Sequence, residues 1–165
     1  MEEEAKVKYS RKWFLASFAI ILIILAGVWF ILNRYASSPP IPKSISKQLK
    51  ITLYYPYGLP SAYTIDENSF SSAEGQALAF NILSSQGKSI AVTEQALPSK
   101  LDLYAPDPGN VKPENFNTPV GEAAIRSAGA NRIGYINTGK TLLIFNLGDT
   151  PATDFQAIAK DFKKL

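Results

Sequence analysis

The sequence predicts an α+β fold: one N-terminal transmembrane helix, then an antiparallel sheet with helices on one face. Three observations predict it. Residues 13–32 form an unbroken apolar run, short runs of strand composition recur with Gly-Lys turns between them, and the chain closes on a helix with apolar residues at helical spacing.

The run 13–32 reads WFLASFAIILIILAGVWFIL, with no charge and only Ser17 clearly polar. A helix of that length rises about 30 Å, the thickness of a bilayer's hydrocarbon core, and satisfies its own backbone polar groups there. Trp13 and Phe14 at one end, with Trp29, Phe30 and Tyr35 at the other, suit the aromatic belts at both interfaces. A buried core helix would carry a polar stripe, and none is present. A cleavable signal peptide has a shorter apolar region and a small-x-small cleavage site, whereas a cut after Ala36 places Arg34 at the minus-three position. The run therefore reads as an uncleaved signal-anchor whose first partner is the lipid bilayer. Arg11 and Lys12 abut it and orient the N-terminus to the cytoplasm, with the C-terminal domain extracytoplasmic. Small residues spaced four apart are missing from it, so no packing motif specifies an oligomeric state.

Four segments follow from this reading: a cytoplasmic flank 1–12, the transmembrane helix 13–32, a stalk 33–50 and an extracytoplasmic domain 51–165. The stalk contains ASSPPIPKSISK, whose prolines and serines favour extended chain.

Composition narrows the chemistry. The chain contains no cysteine and no histidine, which removes disulfides, thiolate nucleophiles and imidazole bases or ligands. From Asn33 onward 13 Lys/Arg face 11 Asp/Glu, so the domain is nearly neutral and lacks the basic face of a nucleic-acid binder. No cofactor and no metal are expected.

Within the domain, 51–55 (ITLYY) has strand composition and the Pro56-Tyr57-Gly58-Leu59-Pro60 turn ends it. A second strand is expected over 62–65. Residues 76–83 and 88–93 form a hairpin about Ser84-Ser85-Gln86-Gly87, with Leu78, Phe80 and Ile82 on one face. A short helix over 98–104 and a proline-rich loop over 105–113 follow. Strands are then expected at 122–127, 132–137 and 141–147, the last two joined by Thr138-Gly139-Lys140. Thr150 caps the closing helix, Pro151 fits its first turn, and Thr153 with Gln156 offers an alternative capping box. Phe155, Ile158, Ala159, Phe162 and Leu165 share one face, and Lys160, Lys163 and Lys164 complement the C-terminal dipole. Both halves run strand, Gly-Lys turn, strand, proline, helix, which reads as a ββα unit used twice. Identities between the halves are few, so duplication and shared hairpin chemistry both account for the likeness.

Leu59-Pro60-Ser61-Ala62-Tyr63-Thr64 resembles the Leu-Pro-x-Gly-Tyr opening of some bacterial membrane-anchored extracytoplasmic domains of unknown function, among them domains attached to anti-sigma regulators. Ile158-Ala159-Lys160-Asp161-Phe162 is similar to the closing helix of those domains. Ala62 stands where their pattern prefers glycine. The resemblance implies location and architecture, and transfers no catalytic residue.

Candidate chemistry is sparse. Asp66-Glu67-Asn68-Ser69, and Asp102 with Asp107 and Asn110, are oxygen-rich but lack the alternation of a calcium loop, so solvated turns explain them. Gly139-Lys140-Thr141 has the composition of the end of a phosphate-binding loop, yet it turns between two predicted strands rather than opening a helix. Ser84, Ser85, Ser89 and Lys88 lie together, which a polar hairpin turn explains better than a serine–lysine dyad. The tyrosines Tyr54, Tyr55, Tyr57 and Tyr63 stand out, since exposed rings would suit a peptide, glycan or protein partner. A partly buried strand that covers the domain's base is the favoured reading of the same residues. The expectation is a non-enzymatic, single-pass binding or sensing module of the bacterial cell envelope, acting on a protein or an envelope polymer. A structural subunit of an envelope complex is the second reading, and an envelope hydrolase is disfavoured by the missing residue types.

Overall fold

The computed structural model describes residues 41–99, 112–128 and 131–165. The chain divides into two units, Met1–Pro39 and Pro40–Leu165. The first lies outside the described residues, and with it the expected anchor 13–32 and the topology residues Arg11 and Lys12. Among the described residues, no helix is long and apolar enough to cross a membrane.

The second unit is mostly antiparallel β-sheet with few helices, broadly α+β. Its elements in chain order are α1 (Lys43–Ser46), β1 (Tyr54–Pro56), β2 (Tyr63–Ala73), β3 (Ala77–Ser84), β4 (Ser89–Ala96), β5 (Glu114–Thr118), β6 (Gly121–Ala128), β7 (Asn131–Asn137), β8 (Thr141–Gly148), α2 (Ala152–Lys160) and β9 (Phe162–Lys164). Seven strands form one sheet in the order β2-β3-β4-β8-β7-β6-β5, and β1 pairs with β9 in a separate two-stranded ribbon. The sheet is two meanders, β2-β3-β4 and β5-β6-β7-β8, joined where β4 meets β8. Consecutive strands pair because tight turns make neighbours of them, so most of the sheet forms from local contacts.

Alternation sets the faces. Leu78, Phe80 and Ile82 on β3 register with Glu94, Val92 and Ile90 on β4, which register in turn with Leu143 and Phe145 on β8. All of these are buried, and α2 lays Phe155, Ile158 and Ala159 into the same core. Fully burying one such aromatic or branched side chain contributes roughly 1.5–3 kcal/mol. Phe155 rests on β7 at Gly134, where an added Cβ would stand 2.5 Å from its ring. The ring also packs against Phe145 and Phe116, with centroids 5.0 and 5.7 Å away.

The hairpins 76–93 and 132–147 form as expected, at nearly the expected bounds. Several elements differ. The first strand is only Tyr54–Pro56, and the second runs on to Ala73 through an irregularity between Asp66 and Ser71. That bulge carries Asp66-Glu67-Asn68-Ser69: Asp66 Oδ1 accepts the Asn68 N–H at 3.1 Å, and Ser69 Oγ donates to the Asp66 carbonyl at 2.6 Å. An unforeseen edge strand, β5, precedes β6. Pro98 and Ser99 are not helical, and the rest of the expected helix 98–104 lies outside the described residues, as does most of the loop 105–113.

The closing helix is shorter than its spacing implied. It ends at Lys160, and Phe162 returns to the core from β9 because β1 offers a strand to pair with. Lys163 and Lys164 therefore sit on a strand rather than at a helix end, and Leu165 is exposed. Neither expected cap forms, since Pro151 occupies the cap position and Gln156 Nε2 instead reaches Glu114 Oε1 at 2.7 Å.

Part of the expected stalk belongs to the globular unit. Ile41 is buried, and Ile45 and Leu49 pack against the core. The Lys50 N–H donates to the Gly75 carbonyl at 3.1 Å. Gly75 sits at φ 71°, and a Cβ there would stand 2.6 Å from the Gln48 carbonyl oxygen. Gly75→Ala is thus expected to lower unfolding stability by about 2 kcal/mol, from left-handed strain and displacement of 48–50. Urea unfolding measures the loss, and a change below about 0.5 kcal/mol would contradict the packing of 41–50 on the turn after β2.

Candidate functional site

Among the described residues, a polar recess lies at the end of the sheet where β2 begins, β3 turns into β4, and β8 leads into α2. It is a cleft of about 210 Å³. β2 contributes Tyr63, with Ala62 just before it; the hairpin contributes Ser84, Ser85, Gln86 and Lys88, with Ile90 at its floor. The loop after β8 contributes Asp149, Thr150 and Pro151, and the first turn of α2 contributes Asp154. The Ser85 N–H donates to the Ala62 carbonyl at 2.7 Å, which ties the hairpin turn to the start of β2.

Two polar pairs set its electrostatics. The Tyr63 phenol donates to Asp154 Oδ2 at 2.6 Å across 91 residues of sequence. Burial, then the Asp154 hydrogen bond and charge, push that phenol up to about 12. Lys88 Nζ meets Asp149 Oδ2 at 2.6 Å at the exposed rim, with 48% and 74% of the side chains accessible. The ammonium holds Asp149 below the usual carboxylate range. Such an exposed pair is screened by salt and orients more than it stabilises. Thr150 is buried, and its carbonyl accepts from Arg132 Nη1 at 3.2 Å, fixing the loop that presents Asp149 and Asp154.

Of the two readings of the tyrosines, the partly buried strand agrees with where the rings lie. Tyr54 and Tyr55 are only 7% and 8% exposed, because both side chains join the hydrophobic core. Tyr63 is half-buried in the cleft. Tyr57 alone of the four is exposed, edge-on to Tyr55 at 5.5 Å with Lys163 Nζ 5.8 Å from its ring centroid. The four rings do not make one surface.

The hairpin serines do not form a dyad with Lys88. Ser84 Oγ accepts the Lys88 backbone N–H at 3.1 Å while the ammonium turns to Asp149, so the lysine amine faces a carboxylate rather than a serine hydroxyl. Residues 134–141, GYINTGKT, satisfy the full spacing of a phosphate-binding loop. Their geometry does not, because they are the end of β7, a tight turn and the start of β8, with no helix opening at Lys140. Gly134 is bare to admit Phe155, not a phosphate. Asp102, Asp107 and Asn110 lie outside the described residues, among which no group of three or more acidic side chains is placed to hold a metal.

Asp149 and Asp154 went unmarked in the sequence, and Thr150 was marked only as a helix cap. Only the position of Asp154 in the first turn of an amphipathic helix hinted at a placed side chain. Comparison of the chain with protein-family models, curated proteins and solved structures finds no match in any of the three.

The Tyr63–Asp154 bond yields a direct test. Tyr63→Phe and Asp154→Ala are each expected to cost about 1 kcal/mol, and the double variant scarcely more than either alone. A double-mutant cycle by denaturant unfolding gives the coupling. Strict additivity would mean the pair is not formed in solution.

Proposed function

We propose that this chain is a non-enzymatic binding or sensing module of the bacterial cell envelope. It is held by a single N-terminal transmembrane helix over 13–32, with its N-terminus cytoplasmic and its sheet domain outside. The observation that carries the reading is the cleft at Tyr63, Gln86 and Asp154. Its polar side chains are already engaged, Lys88 with Asp149 as an ion pair and Asp154 as acceptor of the Tyr63 phenol. What remains for a ligand is hydrogen-bonding capacity from hydroxyls, one amide and the Asp154 carboxylate beside an aromatic edge, a combination suited to a hydroxyl- or amide-bearing polymer. The lack of histidine and cysteine, and a lysine turned away from the serines, give little to an envelope hydrolase. The resemblance in 59–64 and 158–162 to extracytoplasmic domains supports the location, and a ββα unit used twice remains the favoured account of the two hairpins.

One observation favours the second reading, a structural subunit of an envelope complex. Tyr57 and Leu165 are the large apolar residues exposed among those described, and both flank the β1–β9 ribbon. A stoichiometric neighbour would cover them.

A photo-crosslinking amino acid in place of Gln86, at the cleft rim, separates these readings when compared with the same residue in place of Lys140 at the opposite end of the sheet. In cells carrying the full chain, position 86 is expected to yield an adduct with envelope polymer or protein that Tyr63→Ala reduces at least fivefold. Adducts at position 140 alone, or at both positions equally, would refute a role for the cleft. External protease on spheroplasts is expected to digest 41–165, and protection of that region would refute the topology.

A further inference from the structure

The described residues hold one side chain that the cleft does not use and packing alone does not explain. Glu94 alternates with Ile90 and Val92 on the core face of β4, level with Leu78 of β3 and Leu143 of β8, and is fully buried. One of its oxygens, Oε2, accepts the Tyr54 N–H of β1 at 3.0 Å, and the other, Oε1, has no partner. A carboxyl in that setting is an expensive way to fill a core position, and an apolar residue would pack there without an orphaned oxygen. What Glu94 supplies is an acceptor for one particular backbone group of the strap.

That strap is the segment 41–56, through which the chain enters the sheet. Its other side-chain tether is the Thr141 hydroxyl, which donates to the Thr52 carbonyl at 2.8 Å, and β9 pairs with it over Tyr54–Pro56. We propose that Glu94 is a proton-operated latch: protonated, it keeps the strap and the β1–β9 ribbon docked on the sheet, and loss of the proton releases them.

The direction follows from what surrounds the carboxyl. β3 and β8 face it with Leu78 and Leu143, and β4 itself adds Val92 on the same face. β1 brings the Tyr54 backbone N–H, while the Tyr55 phenol answers to Glu67 and Tyr57 rather than to Glu94. The lysines of the ribbon, Lys163 and Lys164, register with Tyr55 and Tyr54 but point to solvent, and no ionised side chain among the described residues acts on Glu94. Burial therefore dominates and pushes it up to about 8, only partly offset by the Tyr54 N–H. A group raised in the folded state contributes its full stability below the ordinary glutamate value of 4.5. That contribution falls as pH rises and is gone above about 8. Undocking hydrates the carboxylate while leaving the hairpins β3–β4 and β7–β8 paired, so the release is local.

Hydrogen exchange on the full chain in detergent micelles, at pH 6 and pH 8.5 and corrected for intrinsic rates, tests the latch. Peptides over 52–57 and 161–165 are expected to lose at least tenfold protection relative to those over 78–83 and 142–147. In Glu94→Gln, which keeps the shape and an acceptor but cannot ionise, that ratio is expected to stay within twofold. Glu94→Met removes the acceptor as well, and is expected to leave the ribbon weakly protected at both pH values. An unchanged ratio in the wild type, a parallel loss across all strands, or a pH-dependent ratio in either variant would overturn the proposal.

Discussion

The contact on which the rest of this domain depends is a ring against bare backbone: Phe155 of α2 lying on Gly134 of β7. Any side chain at that position would meet the ring within 2.8 Å, and the ring has no room to yield between Phe145 and Phe116. Once seated, α2 has a fixed height and direction over the sheet. Interiors packed at crystalline density transmit such a constraint rather than absorb it.

Both ends of the helix then acquire consequences. At its start, Asp154 is carried to within 2.6 Å of the Tyr63 phenol, and the preceding loop brings Asp149 to Lys88, which together close the cleft. At its end, the chain turns at Asp161 and places Phe162 in the core, 5.4 Å from Phe145, so that β9 can receive β1. The ribbon in turn holds the strap over Glu94. The cleft and the ribbon that holds the strap lie at opposite ends of one short helix, a rigid element that ties the position of one to that of the other.

Much of this was legible in the sequence, for physical reasons that can be named. The alternation Leu78, Phe80, Ile82 and the Gly-Lys turns identify two hairpins because period-two burial and left-handed turn residues are local signals. The spacing of Phe155, Ile158 and Ala159 likewise identifies the face of α2. Edge strand β5 was hidden because Glu-Asn-Phe-Asn-Thr offers one apolar residue, and its pairing with β6 rests on the backbone ladder and the Thr118 hydroxyl at Gly121. β9 was hidden because Phe162 also fits the helical spacing, and only its non-local partner β1 decides between strand and helix. The cleft draws on segments up to 92 residues apart, from Ala62 to Asp154, and no periodicity records that meeting. The burial of Tyr54 and Tyr55 is equally non-local. Glu94 was legible in principle, since it stands in phase with Ile90 and Val92, and the alternation places a carboxyl where only apolar side chains belong.

The seating of α2 is tested most directly by Gly134→Val, with hydrogen exchange followed at both ends of the helix. Overpacking of this kind costs about 2 kcal/mol, or about thirtyfold in an opening equilibrium. The account predicts that protection falls together, by a similar factor, in 52–57 with 161–165 and in 60–64 with 149–154, while the β3–β4 hairpin changes less. A loss confined to one end of α2, or no loss at either, would contradict the claim that this contact organises the domain.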